Sequence, residues 1–383
     1  MATNVDPRDL ARATITGLQT DLVSLSHSIH AHPELKFEEE KSSAWVAGFL
    51  SDRGLDVDFG ICDLPTAFVA RVGTGPLHLS ICAEYDALPA VGHACGHNII
   101  AAAAVGAGLA LAPLVDDLGI TLSILGTPAE EGGGGKVLML ERGAFDGIHA
   151  SLMVHPAPID GLRPRVSAVS HFRVRYTGKE SHAAAAPQLG VNAADAFVVA
   201  QTAIGLLRQH LRATDQVHGF ITKGGDAANI IPAHTEGDWM VRSATIAAVH
   251  KVLPRVEACF HAGAIATGAS VEFEAECPIY SHMEHHAGLV ELYREATIAL
   301  GHNYDDANEM TFSTDMGNVS LAMPSIHPTI GIDTAGAVNH QPEFAAACIN
   351  ESADNAVMHG ALGMALTAIG AARGPLRDEL IRR

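Results

Sequence analysis

The amino-acid sequence predicts an α/β fold into which a second domain is inserted. The chain of 383 residues is too long for one ordinary core, so two domains are expected. Strand-like and helix-like segments alternate up to about Arg165, which indicates a layered α/β sheet. The pattern then changes, and HFRVRYTG (His171–Gly178) alternates apolar and polar residues. We assign residues 1–166 and 278–383 to one discontinuous domain and residues 167–277 to the insertion.

The first domain is predicted to begin with an amphipathic helix, because apolar residues recur at helical spacing from Leu18 to Ile29. An Ala-rich run from Asn98 and the segment KVLMLER indicate two further helices. Strands are predicted at TAFVARV (Thr66–Val72), LHLSICA (Leu77–Ala83), TLSIL (Thr121–Leu125) and SLMV (Ser151–Val154).

The inserted domain is predicted to combine a helix, from Val191 to about Leu211, with several strands. Strand patterns occur in HFRVRYTG, GFITKGG, GDWMVRS and VEFEAE, which indicates a smaller α+β domain. A helical region with Leu289 and Leu292 follows. The first domain then resumes with PSIHPTIGI and a helix after HQPEF.

Composition argues against several partners and locations. The formal net charge is −19 with neutral histidines, which argues against nucleic acid and anionic membranes because both are polyanions. The six cysteines lack the tight spacing of a disulfide framework. MATNVDPRDL lacks an apolar signal core, and the apolar run Ile99–Val115 is better explained by a buried helix than by a membrane span. We therefore expect a cytoplasmic protein.

Three of the predicted strands run directly into polar motifs. LHLSICA is followed by EYDALP and GHACGHN, TLSIL by GTPAEE, and SLMV by His155-Pro156. In open α/β sheets the binding site lies outside the carboxyl ends of the strands. The sequence therefore predicts that these motifs share one cleft.

The predicted cleft would bring a thiol, imidazoles and carboxylates together. The donors are Cys95, His97, Glu131 and His155, and His340 in NHQPEF is a fifth candidate. Such a mixed set suits zinc or a neighbouring first-row metal. Any single one of the 22 histidines is more often a hydrogen-bonded core residue. It is the combination at strand ends that favours a metal site.

Glu130 and Glu131 close a turn after an apolar strand and precede four glycines, Gly132–Gly135. Adjacent carboxylates do not easily share one role, so one can bind metal while the other acts as a general base. The glycines allow a close approach of the backbone. A phosphate-binding loop is the competing interpretation, but neither GKS nor GKT follows.

Together the motifs resemble the peptidase M20 family of metallopeptidases and amidohydrolases, which includes the aminoacylases. The chain is most similar to the branch with a metal-binding cysteine, and within it to the dipeptidase and p-aminobenzoyl-glutamate-hydrolase type. In the family order, and over nearly the whole chain, the matching motifs are HAHPEL, AEYDALP, GHACGHN, GTPAEEGGGGK, VHPAP, GKESHAAAAPQLGVNAADA, GGDAANIIP, STDMGNVS and HQPEF.

The resemblance implies a catalytic domain, built on a mixed sheet flanked by helices, and an inserted lid domain that dimerises. It also implies two divalent transition-metal ions, zinc or manganese, with Cys95 bridging them. His97 and His155 would complete one metal site, and Glu131 and His340 would complete the other.

The same resemblance implies roles for residues around the metals. Glu130 would be the general base, and Asp86 would support the metal ligands through hydrogen bonds. In the inserted domain His182, Asn229 and Arg242 would contact a small-molecule amide substrate. His182 would be catalytic, because it would donate to the oxyanion in the neighbouring subunit's site.

The chain departs from the family pattern at three motifs. It reads AEYDALP where many relatives have ADMDALP, and CGHN where many have CGHD. It also reads STDMGNVS in place of a SEDF-like motif, so that Asp315 keeps an acidic group and the glutamate is lost. These changes fit the dipeptidase-like type and leave the substrate open.

The leading hypothesis is metal-dependent hydrolysis of an amide bond in a small N-acyl amino acid, dipeptide or aminobenzoyl-glutamate-like compound. Glu130 would act as the base on a metal-activated water. The alternatives are a thiol hydrolase using Cys95 with His97, and a binding protein that has lost catalysis. The first alternative leaves Glu130 and Glu131 without a role, and the intact Glu130 argues against the second.

Overall fold

The computed structural model describes residues 5–304 and 311–382 of the chain. The chain divides into two compact units, Met1–Arg165 with Met283–Arg383, and Val166–His282. We call them the discontinuous unit and the inserted unit. The corresponding boundaries predicted from the sequence lie after residues 166 and 277.

Helices and strands alternate in both units. Within the described residues the strands are β1 (Asp56–Phe59), β2 (Phe68–Val72), β3 (Leu77–Ala83), β4 (Ile120–Gly126), β5 (Ala150–Leu152), β6 (His155–Ala157), β7 (Arg165–Val166), β8 (Ala168–Thr177), β9 (Gln216–Lys223), β10 (His234–Ser243), β11 (Ser270–Ala275), β12 (Thr311–Phe312), β13 (Ser325–Ile326) and β14 (Thr329–Gly331). The α-helices are α1 (Pro7–Ala31), α2 (Glu40–Ser51), α3 (His97–Leu111), α4 (Val115–Leu118), α5 (Gly135–Glu141), α6 (Ala193–Leu207), α7 (Ile246–Thr267), α8 (Ala287–Ile298), α9 (Met316–Ala322), α10 (Pro342–Ala347), α11 (Glu351–Arg373) and α12 (Leu376–Ile381).

The discontinuous unit is built around a six-stranded mixed sheet with the order β1-β2-β4-β3-β5-β13. β2 pairs antiparallel with β1 and β4, whereas β3 pairs parallel with β4 and β5, and β13 pairs parallel with β5. β3 and β4 are buried along almost their whole length, which fits their nearly continuous apolar sequences. The predicted α/β fold, a mixed sheet flanked by helices, is confirmed.

α3 is the central helix of the discontinuous unit, and every one of its residues is buried. It packs against α1, α11 and β3. The predicted apolar run has no polar face because no side of this helix meets water. By length and composition, the segment His97–Leu118 and α11 are both apolar enough to cross a membrane, but each is mostly buried inside the fold.

Glycines let α3 and its neighbouring helices approach closely. A Cβ built on Gly106 of α3 would lie 2.9 Å from Ala361 Cβ of α11 and 2.9 Å from Leu22 Cδ1 of α1. A Cβ built on Gly360 of α11 would lie 2.9 Å from Val154 Cγ1. Side chains do not pack this closely, so the contact depends on the missing Cβ atoms.

The inserted unit contains a four-stranded antiparallel sheet, ordered β11-β8-β10-β9, with α6 and α7 packed together against it. Burial alternates along β10, so that Trp239 and Val241 face the core. The Trp239 ring lies edge-on to Phe260 of α7, with centroids 5.0 Å apart. The predicted helix from Val191 to about Leu211 is α6, followed by a 3-10 turn at Arg208–His210.

We predict that one substitution has opposite effects at two glycines of the discontinuous unit. Gly17 of α1 has open space at its Cβ position, so Gly17→Ala should stabilise the protein by about 0.5–1 kcal/mol through helix propensity. Gly106→Ala should destabilise it by about 1–3 kcal/mol, because the added Cβ meets Ala361 and Leu22. Urea unfolding followed by circular dichroism measures both changes. Stabilisation by both substitutions would contradict the close packing at Gly106.

Candidate active site

The reactive residues lie where parallel strands of the six-stranded sheet end. β3, β4, β5 and β13 run in one direction, so their carboxyl ends meet at one edge. Glu84 follows β3, the turn with Glu130 and Glu131 follows β4, and His155 opens β6 shortly after β5. Three of these strand ends are predicted from the sequence. The structure adds a fourth, since His327 follows β13 directly.

Asp86 connects two of the motifs. Its Oδ1 accepts a hydrogen bond from His97 Nδ1 over 2.9 Å. Its Oδ2 accepts one from the Glu131 backbone N–H over 2.8 Å. Because Nδ1 of His97 is held by Asp86, Nε2 is the ring nitrogen that remains for a metal or a substrate.

The GHACGHN loop packs closely against the segment that carries His155. Gly96, just before α3, has a φ of 74°, a left-handed value that favours glycine. A Cβ at this position would lie 2.5 Å from Pro156 Cγ and 3.1 Å from Cys348 Sγ. The glycine therefore lets the loop with its cysteine and histidine approach the end of β5.

A buried carboxylate holds the turn after β4. Ala129 has a left-handed φ of 59°, and its N–H donates to Glu39 Oε1 over 2.8 Å. Glu39 is fully buried and also accepts from the Phe37 N–H at 2.9 Å and the Thr66 hydroxyl at 2.8 Å. Burial raises the pKa of Glu39 to about 7. These bonds fix the strained turn from which the two adjacent glutamates project.

One group of donors consists of Cys95, Glu131 and His340. One ligand atom from each of them lies within 4.8 Å of the other two. Cys95 is buried, Glu131 is half-buried and His340 is exposed. The His340 N–H donates to the Ala94 carbonyl over 2.9 Å, which ties the NHQPEF loop to GHACGHN. The structure thus brings these three predicted metal ligands together.

A second group consists of Glu84, His97 and Glu130, which are all buried and also have ligand atoms within 4.8 Å of one another. His97 Nε2 lies 3.6 Å from Glu84 Oε2 and 3.9 Å from Glu130 Oε2. His155, the predicted partner of His97, places its ring edge-on to the His97 ring with centroids 5.7 Å apart. Neither of the two donor groups in the described residues contains His155.

His155 and His327 form a pair of imidazoles beside these groups. His155 Nδ1 donates to the Pro156 carbonyl over 2.7 Å, and the His327 ring centroid lies 5.6 Å from that of His155. His327 is fully buried, and no described residue hydrogen-bonds to either of its ring nitrogens. Burial lowers the pKa of His155 to about 3 and that of His327 well below its usual range. Both are therefore neutral imidazoles, able to bind a metal or a ligand.

A buried lysine holds two carboxylates at the same edge of the sheet. Lys136 Nζ bonds Glu84 Oε1 and donates to Asp315 Oδ1 over 2.8 Å. The Lys136 backbone N–H donates to Asp315 Oδ2 over 2.9 Å. All three side chains are fully buried. Burial raises the pKa of Glu84 to about 7, although Lys136 acts in the opposite direction.

The donor atoms fit a metal better than they fit one another. His97 Nε2, Glu84 Oε2 and Glu131 Oε1 are buried, and no described residue hydrogen-bonds to them. An unpaired buried polar atom costs about 1–3 kcal/mol, so such atoms normally have a partner. Burial and then neighbouring glutamates raise the pKa of Cys95 and of Glu130 well above their usual ranges. A bound cation would relieve both effects, and this donor set matches zinc or a neighbouring first-row metal.

Two of the predicted substrate residues lie side by side in the inserted unit. His182 is exposed, and its Nδ1 accepts from the Ala184 and Ala185 N–H groups at 3.2 and 3.1 Å. In the neutral ring the proton is therefore on Nε2. The Ala183 N–H donates to the Asn229 carbonyl over 3.0 Å, which places the exposed Asn229 next to the histidine.

Arg242 lies on β10 of the same unit, opposite Val169 of β8 and Gln216 of β9. The alternation of burial along β10 places it on the face opposite Val241, which packs in the core with α6 and α7. Its side chain is half-buried, and burial lowers its pKa. The inserted unit therefore presents a guanidinium on the sheet face that the helices do not cover.

The order of the motifs along the chain decides the family. The model of “Peptidase family M20/M25/M40” matches residues 81–358, more than half of the chain. The chain belongs to this family. The family and the enzyme class predicted from the motifs are confirmed, and this M20 member is a hydrolase.

Two kinds of named relative share much of the M20 chain. An Xaa-Arg dipeptidase of Mus musculus is 36% identical over 383 residues, which cover 94% of this chain and 88% of that protein. One of the subunits of the p-aminobenzoyl-glutamate hydrolase of Escherichia coli (strain K12) is 32% identical over 279 residues, 67% of this chain and 58% of that protein. Both are similar to the type that the motifs predict.

Solved structures share the fold of this M20 member. An aminobenzoyl-glutamate utilization protein from Klebsiella pneumoniae superposes with a TM-score of 0.75 at 18% identity, covering 93% of this chain and 97% of that one. A dinuclear metal binding peptidase of the M20 family from Bacillus subtilis gives a TM-score of 0.69 at 21% identity, covering 92% and 98%. At these identities the likeness describes the fold.

We predict that Asp86→Asn weakens metal binding about 10–100-fold. Asparagine keeps one acceptor oxygen, so it cannot accept from both His97 Nδ1 and the Glu131 N–H. Competition with a fluorescent chelator measures the affinity. Asp238→Asn is the control, because it removes only an ion pair with Arg173 in the inserted unit. Equal metal affinities of Asp86→Asn and wild type would contradict the role of Asp86 in orienting the ligands.

Proposed function

We propose that this M20 member is a dinuclear metal-dependent hydrolase of an amide bond in a small N-acyl amino acid, dipeptide or aminobenzoyl-glutamate-like compound. The observation that carries the proposal is the pair of adjacent donor groups that Asp86 connects. Membership of a peptidase family supports amide hydrolysis. Buried donor atoms without hydrogen-bond partners among the described residues support bound cations.

The proposed site holds two ions. Glu131 and His340 would bind one ion, His97 and His155 would bind the other, and Cys95 would contact both. When bound, zinc or manganese supplies a Lewis acid that activates water and polarises the amide carbonyl. The thiolate and imidazole donors suit zinc, and the carboxylate donors suit manganese.

Glu130 is the proposed general base. It is 8% exposed, and its Oε2 lies 3.9 Å from the nitrogen of His97 that is left for a metal. Burial, then the charges of Glu84 and Glu131, raise its pKa, which suits a carboxylate that takes up a proton and releases it again. Glu130 would take a proton from the attacking water and return it to the leaving nitrogen.

The proposed substrate carries a free carboxylate on its leaving half. A dipeptide and p-aminobenzoyl-glutamate both end in a carboxylate, and these compounds occur in the names of two relatives. The formal net charge of −19 repels anions at long range, so local positive groups have to capture them. Arg242 is the proposed group, because a guanidinium can donate two parallel hydrogen bonds to a carboxylate.

We further propose a homodimer that forms through the inserted unit. β9 lies at the edge of the four-stranded sheet, and all but one of its residues are exposed. Phe220 on β9 is 63% exposed, and Val198 and Leu206 on α6 are 61% and 69% exposed. An edge strand beside exposed apolar side chains is a surface that proteins usually cover with a partner.

In this dimer His182 of the partner subunit would complete each site. Its Nδ1 accepts from two backbone N–H groups, which leaves Nε2 to carry the ring proton. A neutral imidazole with its proton on Nε2 can donate to the oxyanion that develops during amide hydrolysis. Asn229 beside it would contact the substrate.

We predict that the two adjacent glutamates separate metal binding from turnover. Glu130→Gln should keep its metal and lose about 10²–10⁴-fold in turnover, because only the base is removed. Glu131→Gln should lose metal as well, because a neutral amide is a poorer ligand than a carboxylate. Elemental analysis and hydrolysis rates on a panel of N-acyl amino acids, dipeptides and p-aminobenzoyl-glutamate measure both effects.

Chelation separates the alternatives in the same assay. EDTA should abolish turnover of wild type, and zinc or manganese should restore it. A thiol hydrolase using Cys95 would survive chelation and lose activity on alkylation, and a binding protein would hydrolyse no compound in the panel. Near-normal turnover of Glu130→Gln would exclude Glu130 as the base.

We predict that two inactive variants recover activity when their subunits exchange. His182→Ala should lose about 10²–10³-fold in turnover, and Glu130→Ala lacks its base. A heterodimer has one site with an intact Glu130 and an intact His182 of the partner subunit, so about a quarter of the sites in a random mixture should work. Native mass spectrometry verifies dimers and exchange. Exchange without recovery would mean that His182 does not act across the dimer.

A further inference from the structure

Glu84, Lys136 and Asp315 form a buried charged group that the proposed reaction does not use. Lys136 Nζ bonds a Glu84 oxygen and donates to Asp315 Oδ1 over 2.8 Å, and all three side chains are fully buried. Two carboxylates face one ammonium, so the group is short of positive charge. Apolar residues of similar size often fill such positions at a lower free energy. The group therefore needs a functional explanation.

Lys136 occupies only Oε1 of Glu84. The other oxygen, Oε2, is buried, and no described residue hydrogen-bonds to it. It lies 3.6 Å from His97 Nε2, which is also buried and also has no hydrogen-bond partner within the described residues. Asp86 holds the opposite nitrogen of the His97 ring at 2.9 Å. Glu84 and His97 therefore each leave one donor atom beside the same space.

The spacing of these two atoms fits a shared metal ion. Zinc binds histidine nitrogen and carboxylate oxygen at about 2.0–2.2 Å, so two such ligands at a tetrahedral angle are about 3.3–3.6 Å apart. Glu84 Oε2 and His97 Nε2 are 3.6 Å apart. A direct hydrogen bond between them would be shorter, at about 2.7–3.2 Å. Their separation therefore matches two ligands better than an ion pair in contact.

We propose that Glu84 is a further ligand of the ion that His97 binds, and that Lys136 and Asp315 hold its carboxylate in position. The proposal rests on the proposed metal-dependent function. Glu84 Oε2 would contact the ion while Oε1 stays bonded to Lys136. The ion supplies the positive charge that the buried group lacks, and Asp315 keeps the lysine in place through both its Nζ and its backbone N–H.

A carboxylate ligand changes which metal this position prefers. Carboxylate oxygen suits manganese, whereas thiolate and imidazole suit zinc. Loss of Glu84 as a ligand should therefore weaken the binding of Mn²⁺ more than the binding of Zn²⁺. A purely structural role of Glu84 would not distinguish between the two metals.

Three variants separate a ligand from a structural residue. Glu84→Gln removes the charged ligand and leaves Lys136 with Asp315. The triple variant Glu84→Gln, Lys136→Met, Asp315→Asn removes all three buried charges with little change in volume. Glu84→Asp keeps the charge but shortens the side chain by a methylene group. Glu141→Gln is the matched control, because it changes an exposed carboxylate on α5, the helix that carries Lys136.

Three measurements are made on each full-length variant after a chelator has removed its metal. Thermal unfolding of the metal-free protein reports whether the fold is intact. Competition with a fluorescent chelator gives the affinities for Mn²⁺ and Zn²⁺. Visible absorption after loading with Co²⁺ reports changes in the ligands of the ion.

We expect the triple variant to unfold near the temperature of wild type, because no unpaired buried charge is left. Its Mn²⁺ affinity at the affected position should fall at least about tenfold, its Zn²⁺ affinity should fall less, and its Co²⁺ bands should change. Glu84→Gln and Glu84→Asp should show the same preference for losing Mn²⁺. Glu141→Gln should match wild type in all three measurements.

Unchanged affinities and an unchanged Co²⁺ spectrum in the folded Glu84 variants would overturn the proposal. Equal losses of both metals, together with a lower unfolding temperature, would assign Glu84 a structural role and also overturn it. If the triple variant does not fold, Glu84→Asp decides. Wild type that binds no metal would overturn the proposed function as well, whereas wild type with two ions and unaffected Glu84 variants would overturn this proposal alone.

Discussion

Negative charge removed from water is the constraint on which the site depends. The carboxylates that the structure gathers at one sheet edge, each at most 8% exposed, are Glu84, Asp86, Glu130 and Asp315. Like charges repel far more strongly in a protein interior than in water. Lys136 and His97 offset part of this charge through their bonds to the carboxylates. The remainder explains both the raised pKa of Glu130 and the space between the donor groups, which suits cations.

Elements with a strong local pattern could be predicted from the sequence. β3 comprises the same residues as the predicted strand, Leu77–Ala83, because both of its faces are buried and every position is constrained. The apolar run after Asn98 is α3 for the same reason. α7 is not among the predicted elements, although its buried residues Val249, Val252, Val256 and Phe260 recur at helical spacing. Pro254 inside this helix is an element breaker in a sequence-based prediction, and only the packed core overrides it.

The site could be predicted where a motif carries the chemistry, and less well where the sheet carries it. GHACGHN and the glutamate pair identify Cys95 and its neighbours, and the cytoplasmic location stays a prediction. Lys136 reads as an ordinary charge at the start of a helix, and only its contacts show that it is buried between carboxylates. His327 follows a strand of two residues, which is too short for any periodic pattern. Its place at the site emerges only from the parallel pairing of β13 with β5.

The position of the insertion also sets an order of events during synthesis. The core of the inserted unit is complete once residue 282 has left the ribosome, because its strands and helices all precede that point. β13 and α11, which extend the other sheet and cover α3, are translated only afterwards. A nascent chain that has emitted the insertion but not α11 therefore carries a wholly apolar helix without its main cover. Pauses in translation before α11 would expose this helix to chaperones and to aggregation, and the edge of the sheet with its reactive side chains is assembled last.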